Sequence, residues 1–232
     1  MKFVKNFACI YLEKIKSIVI GDLHIGIEEE LKKEGINVAY TEKVIEDIKK
    51  CKEKTEANKI ILLGDTKNSI GIPEKRTEIK LLEKFFEFLN SEFKKVYLVK
   101  GNHDGMIEKL VNSDKIKIYT SRGFKIKRYG FLHGNAYPLQ KVMKASLVFC
   151  SHAHPKVSLY LNNRKVEDIR VYSIFRLKEF FGKNKKLIII PPFSSLIGGK
   201  EIEEILKEKS IISKLVDENS LEIISIDGIK IL

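Results

Sequence analysis

The chain has 232 residues, 44% hydrophobic and 32% charged, a balance that builds a globular core and excludes a disordered chain, a collagen-like fibre and a bundle of membrane helices. Its formal charge of +12 admits nucleic acid, phosphorylated ligands or an anionic membrane surface as partners. Only six of the 43 basic residues are Arg, however, and a surface rich in Lys and Glu serves solubility and heat tolerance as readily as phosphate grip.

In chain order, residues 7–12 and 16–20 read as strands, 28–33 and 41–54 as helices with Thr41 as N-cap, and 59–63 as a short buried strand. Pro73 and Glu74 open a helix on which Ile79, Leu82, Phe85, Phe86 and Leu89 recur at helical spacing, so these aromatics are core. Residues 96–99, 116–119, 124–127, 131–132 and 147–150 are further strands. Beyond residue 154 the pattern turns β-rich, with strands at 157–161, 170–174, 187–190, 221–226 and 229–232 and a helix over 201–209. A chain that is β-α-β early and β-β late predicts an α/β fold of two sheets with helices outside, an αββα sandwich, rather than one doubly wound sheet. No repeat or low-complexity linker interrupts it, and residues 1–232 are read as one domain.

Polar clusters follow the apolar strands. They are Gly21-Asp22-Leu23-His24, Gly64-Asp65, Gly101-Asn102-His103-Asp104, His133-Gly134 and Ser151-His152-Ala153-His154. All five histidines of the chain fall inside them. Strand ends in α/β sheets converge on one rim, where ligands bind. In extended backbone, residues i and i+2 point the same way, so Asp-x-His and His-x-His can each reach one metal or two adjacent ones. Imidazole, carboxylate and amide oxygen without thiolate favour zinc, manganese or iron. Two carboxylates, one Asn and four His are too many for one ordinary site and suit two metals sharing a carboxylate, the arrangement that hydrolyses phosphate esters or peptides. The excess positive charge of two divalent ions over two carboxylates and one hydroxide leans toward phosphate.

Taken together over residues 17–155, these motifs resemble the ordered signature of the calcineurin-like metallophosphoesterases. Residues 22–28, His154-Pro155 and Ile190-Pro191-Pro192-Phe193 further resemble the small archaeal phosphoesterases related to SbcD-type DNA-repair nucleases, and the bacterial ligase-associated phosphoesterases. The resemblance implies a site at the C-terminal ends of the strands. There Asp22, His24 and His154 would hold one divalent ion, Asn102, His133 and His152 a second, and Asp65 would bridge. Manganese is the first choice of metal, with iron or zinc as alternatives. The implied reaction is attack of a metal-bridging hydroxide on a phosphodiester or phosphomonoester. In it His103 serves as general acid or phosphate stabiliser and Asp104 fixes its ring. Three positions depart from the pattern: Asn135 where many relatives have a second His, Thr66-Lys67-Asn68 without the following acid, and Ser151 in place of Gly. None removes a ligand.

Two rivals remain at this stage. One is an SbcD-like nuclease acting on DNA, which the basic charge favours and the short stretch after His154 disfavours, because the second sheet needs those residues. The other is a non-catalytic scaffold on the same fold, as in the retromer subunit, which the filled ligand positions disfavour. The expected partner is a phosphate ester, with a nucleotide or nucleic acid among the candidates, and no membrane. Cys9, Cys51 and Cys150 form no CxxC and fit free thiols in a reducing compartment. With no apolar run near the ~18 residues of a membrane helix and no signal-peptide stretch, the expected location is the cytoplasm. Lys67 and Asn68 are read either as substrate contacts or as a solvated loop, and Gly198-Gly199 as a tight turn.

Overall fold

Successive side chains of a strand face opposite ways, so a strand covered on both sides must be apolar at nearly every position. The middle strands of this chain meet that condition. A computed structural model describes residues 1–74, 76–208 and 210–232. Its elements are β1 (Lys2–Phe3), β2 (Ile10–Leu12), β3 (Ser17–Ile20), α1 (Glu28–Leu31), α2 (Tyr40–Glu53), β4 (Lys59–Leu62), α3 (Arg76–Glu92), β5 (Lys95–Val99), β6 (Ile116–Tyr119), β7 (Phe124–Ile126) and β8 (Tyr129–Phe131). There follow α4 (Gln140–Met143), β9 (Leu147–Cys150), β10 (Pro155–Leu161), β11 (Arg164–Leu177), β12 (Lys186–Ile189), β13 (Lys200–Glu201), α5 (Ile202–Lys207), α6 (Ile211–Leu215) and β14 (Val216–Ser225).

The strands form two sheets. One runs β1-β2-β3-β4-β5-β6, and the other β13-β10-β11-β12-β9-β8-β7 with β14 also paired to β11. In the first, β3 to β6 are parallel. In the second, β8, β9 and β12 are parallel. Three apolar clusters stack across the sheets. Ile18, Ile20, Ile60 and Leu62 face Val44, Ile48, Leu82 and Phe85 of α2 and α3. Their strand neighbours Val19, Ile61 and Leu63 face the other sheet's Phe131, Phe149, Ile188 and Ile190. Val148, Leu187 and Ile189 then face Val142, Ile212 and Leu215 of α4 and α6. This is the expected αββα sandwich, and it sets the carboxyl ends of β3, β4, β5, β8 and β9 along one rim.

Several boundaries differ from expectation. Helix α2 begins at Tyr40, and Thr41 is not its cap. The Thr41 N–H instead donates to the Glu28 carboxylate at 3.0 Å. Strand 7–12 shrinks to β2, because Phe7 and Cys9 close a turn. β11 extends far beyond 170–174, its first half pairing with β10 as an exposed hairpin. Residues 229–232 make one isolated bridge and scattered bonds back to Ile223 and Ser225 rather than a strand. Helix α3 begins at Arg76. Lys75 and Lys209, the latter the last residue of the expected 201–209 helix, lie outside the described residues. Among the described residues no helix is long and apolar enough to cross a membrane. The three cysteines are buried and free.

Candidate metal centre

Three of the five polar clusters leave their strands through backbone that side chains rarely adopt. Asp22, His24, Asp65, His152 and His154 all have φ between 47° and 69°. Such non-glycine residues cost about 1–3 kcal/mol each and persist where the surrounding structure holds them. Two glycines make the close approach possible. A Cβ on Gly64, itself at φ +91°, would lie 2.4 Å from His133 Nδ1, and one on Gly101 would lie 2.1 Å from Asp65 Oδ1.

The nine expected site residues come together. Asp22, His24 and His154 form one group and Asp65, His133 and His152 another, with potential ligand atoms within 4.8 Å of one another in each. Asn102 Oδ1 lies 3.3 Å from His133 Nε2, beside the second group. Asp65 Oδ2 stands between the groups, 3.4 Å from His133 Nε2 and 3.9 Å from His24 Nε2. In the first group His154 Nε2 lies 3.5 Å from Asp22 Oδ2.

Backbone carbonyls fix the imidazole tautomers. His133 Nδ1 donates to the Leu63 carbonyl at 2.6 Å, and His154 Nδ1 to that of Gly198 at 3.1 Å. Both rings therefore turn Nε2 toward the carboxylates, the way a metal-binding His is oriented. Ser151 donates to the same Leu63 carbonyl at 2.6 Å, so this departure from the pattern reinforces the cradle.

The carboxylates and imidazoles are strongly polarised. Burial pushes the Asp22 and Asp65 carboxyls up, yet His154 beside Asp22 and His133 beside Asp65 hold both below the usual range, Asp65 well below. Burial opposes a charge on His133, but the Asp65 and Asp22 carboxylates outweigh it and raise the ring to about 9. Burial, with the neighbouring His133, lowers His152 to about 4.

The residues fit a pair of divalent cations. The Nε2 atoms of His24 and His154 are buried without a hydrogen-bond partner, a costly state for a nitrogen lone pair that nothing occupies. One cation held by Asp22, His24 and His154 would satisfy both, and Asp65, His133 and His152 offer a second set, with oxygen and nitrogen donors only, as hard and borderline metals prefer.

His103 lies against this set, its ring centroid 4.8 Å from that of His24 and its N–H donating to Asp65 Oδ1 at 2.9 Å. The expectation that Asp104 steadies its ring is corrected. The buried Asp104 carboxylate is used up on backbone, accepting from Gly101 at 2.8 Å, Thr66 at 2.9 Å and Lys67 at 3.2 Å. His103 Nδ1 instead donates to the Asn68 carbonyl. Lys67 is neither a substrate contact nor a solvated side chain, for it is wholly buried. Sequence reasoning missed the carbonyl acceptors of Leu63, Asn68 and Gly198, since every residue carries a carbonyl.

The sequence matches the family profile of calcineurin-like phosphoesterases over residues 15–213. The chain belongs to that family. Its members are hydrolases acting on phosphate esters, so the resemblance of the motifs carried the right family. Among solved structures, Pseudomonas putida nuclease MPE superimposes with a TM-score of 0.60 at 16% identity, covering 95% of this chain and 89% of that one. That likeness establishes the phosphoesterase fold. A single mutant of Vps29 from Entamoeba histolytica matches at TM-score 0.33 and 11% identity over 79% of each chain. Vacuolar protein sorting 29 from Cryptosporidium parvum matches at 0.32 and 18% over 64% of this phosphoesterase and 70% of that chain. No curated protein sequence matches.

Proposed function

We propose that this phosphoesterase, acting as one domain over residues 1–232, hydrolyses a phosphodiester or phosphomonoester with two divalent metal ions, manganese before iron or zinc. The observation that carries the reading is Asp65 Oδ2, set between two separate groups of N and O donors. Asp22, His24 and His154 would hold one ion, Asn102, His133 and His152 the other, and Asp65 would serve both. When bound, the ions supply positive charge to the phosphate and activate water at neutral pH. The chain's own part is to aim Nε2 of His133 and His154 at the ions' places through the carbonyl partners on Nδ1, and to deliver a proton. His103 does the last. With Nδ1 donating to Asn68, Nε2 is the nitrogen left to give a proton to the leaving oxygen or to hold phosphate charge.

A second reading, a nuclease acting on DNA, is favoured by the net charge of +12, and the likeness to the Pseudomonas putida nuclease is consistent with it. Surface lysines are paired with carboxylates, among them Lys43 with Asp47 and Lys156 with Asp168, and we therefore give preference to a small or short substrate. The deciding experiment is a screen of phosphomonoesters, small phosphodiesters and short DNA duplexes with Mn(II). Chelator-sensitive turnover of small esters is expected. Turnover of DNA alone would move the assignment to the nuclease, and no turnover of any ester would refute the enzyme.

A further inference from the structure

Lys67 lies two residues beyond Asp65 and is wholly buried, where a lysine is seldom found unless paired. Among the described residues it makes no salt bridge. Its Nζ is held instead by carbonyls: those of Gly71 at 2.6 Å, His103 at 2.5 Å and Ile70 at 3.3 Å, together with that of Ser69. An ammonium has three N–H groups, so four carbonyls satisfy it completely. Removing an ammonium from water is costly unless its hydrogen bonds are remade.

The wrapped segment is the one that orients the acid. Residues 68–71 have no regular structure, and Ile70 is exposed. Yet the Asn68 carbonyl inside it takes the His103 Nδ1 proton. The loops after β4 and β5 are laced in both directions. Asp104 reaches across to the N–H groups of Thr66 and Lys67, and Lys67 reaches back to the His103 carbonyl. Asp104 thus holds the first residues of the loop, the Ile25 carbonyl accepts from the Asn68 N–H, and Glu78 accepts from the N–H and hydroxyl of Ser69, while Lys67 gathers the carbonyls of residues 69–71.

We propose that Lys67 is a positioning residue for His103: by drawing the carbonyls of residues 69–71 and of His103 onto one ammonium, it fixes the Asn68 carbonyl that holds the His103 ring. The inference rests on the reading of His103 as the proton donor. Lys67 touches neither substrate nor metal ligand. Its effect passes through the orientation of one imidazole.

The test is Lys67→Met, which keeps the buried stem and removes the ammonium. Metal content should stay at the wild-type level. Turnover of a nucleoside or alkyl ester should fall about 10- to 100-fold, as for a misplaced catalytic group. A nitrophenyl ester, which leaves without a proton, should lose less than about threefold, and KM should hold for both. Placed on top of His103→Ala, Lys67→Met should cost nothing more. Equal losses for both esters, additive losses in the double variant, or loss of metal would overturn the proposal. A readout independent of activity separates it from the enzyme assignment. With 15N-histidine label, the His103 Nδ1–H signal, assigned by its absence in His103→Ala, should be protected in metal-free wild type and lost in Lys67→Met. An unchanged signal overturns the proposal even if the enzyme reading stands. If wild type hydrolyses no ester, that reading fails and the ring signal still decides this one. Should Lys67→Met not fold, Lys67→Gln, which keeps two donors on a shorter stem, decides by the same readings.

Discussion

At the scale of single residues, the proposed reading separates metal holding from proton delivery. His103 touches Asp65 only through its backbone N–H, and its ring is anchored on Asn68. His103→Ala should therefore retain both ions and lower turnover of a nucleoside ester by about 10²–10⁴-fold, with a much smaller loss for a nitrophenyl ester. Parallel kinetics and metal analysis check this; loss of an ion would make His103 a ligand. His133 gives a second expectation. In the metal-free protein Asp65 and Asp22 keep it charged up to about 9 against the cost of burial, and an ion binds only the neutral ring. Binding must expel a proton. Apparent affinity should then rise with pH, up to about tenfold per unit, and level off once the ring is neutral in the free protein. Metal titrations across that range would show a flat dependence if His133 were not a ligand. These side chains were legible in the sequence because His, Asp and Asn stand out at the ends of apolar strands. Lys67 was not. Its burial follows from where four carbonyls lie, and no residue pattern encodes that.

At the scale of elements, strand ends do the positioning. Gly101 ends the β5 exit, and its φ is not in the left-handed region, so alanine there is purely a question of space. A Cβ would lie 2.1 Å from Asp65 Oδ1 and 2.4 Å from the Asp65 nitrogen. Backbone cannot yield as a side chain can. Gly101→Ala should lower stability by about 1–3 kcal/mol, as overpacking does, and weaken metal binding by displacing Asp65. Denaturant unfolding with metal analysis measures both, and wild-type values for each would mean the loop has room to move. The middle strands were readable because both of their faces are buried: Ile18 and Ile20 face the helices while Val19 faces the opposite sheet. The first half of β11 was not, since its residues 164–168 are exposed and carry no alternation. Helix α2 kept its apolar face but lost its expected cap. Glu28, thirteen residues away, took the Thr41 N–H, and a contact of that range leaves no local mark.

At the scale of the molecule, the +12 charge decides between partners. Many of its lysines are paired on the surface, among them Lys43 with Asp47, Lys52 with Glu92 and Lys156 with Asp168. Exposed pairs of this kind are worth about 0–1 kcal/mol and favour solubility over a phosphate-binding face. Turnover of a small diester should depend weakly on salt, and duplex DNA should bind slightly at physiological ionic strength. Binding that falls with a log–log salt slope of several units would favour the nuclease. The central claim is narrower, that two ions share Asp65. Metal analysis of Mn(II)-loaded wild type, Asp65→Asn and His24→Ala tests it most directly. The account predicts about two ions per active wild-type chain, both weakened in Asp65→Asn and mainly one in His24→Ala. A single ion in fully active wild type, or Asp65→Asn with both ions held as tightly as before, would contradict it.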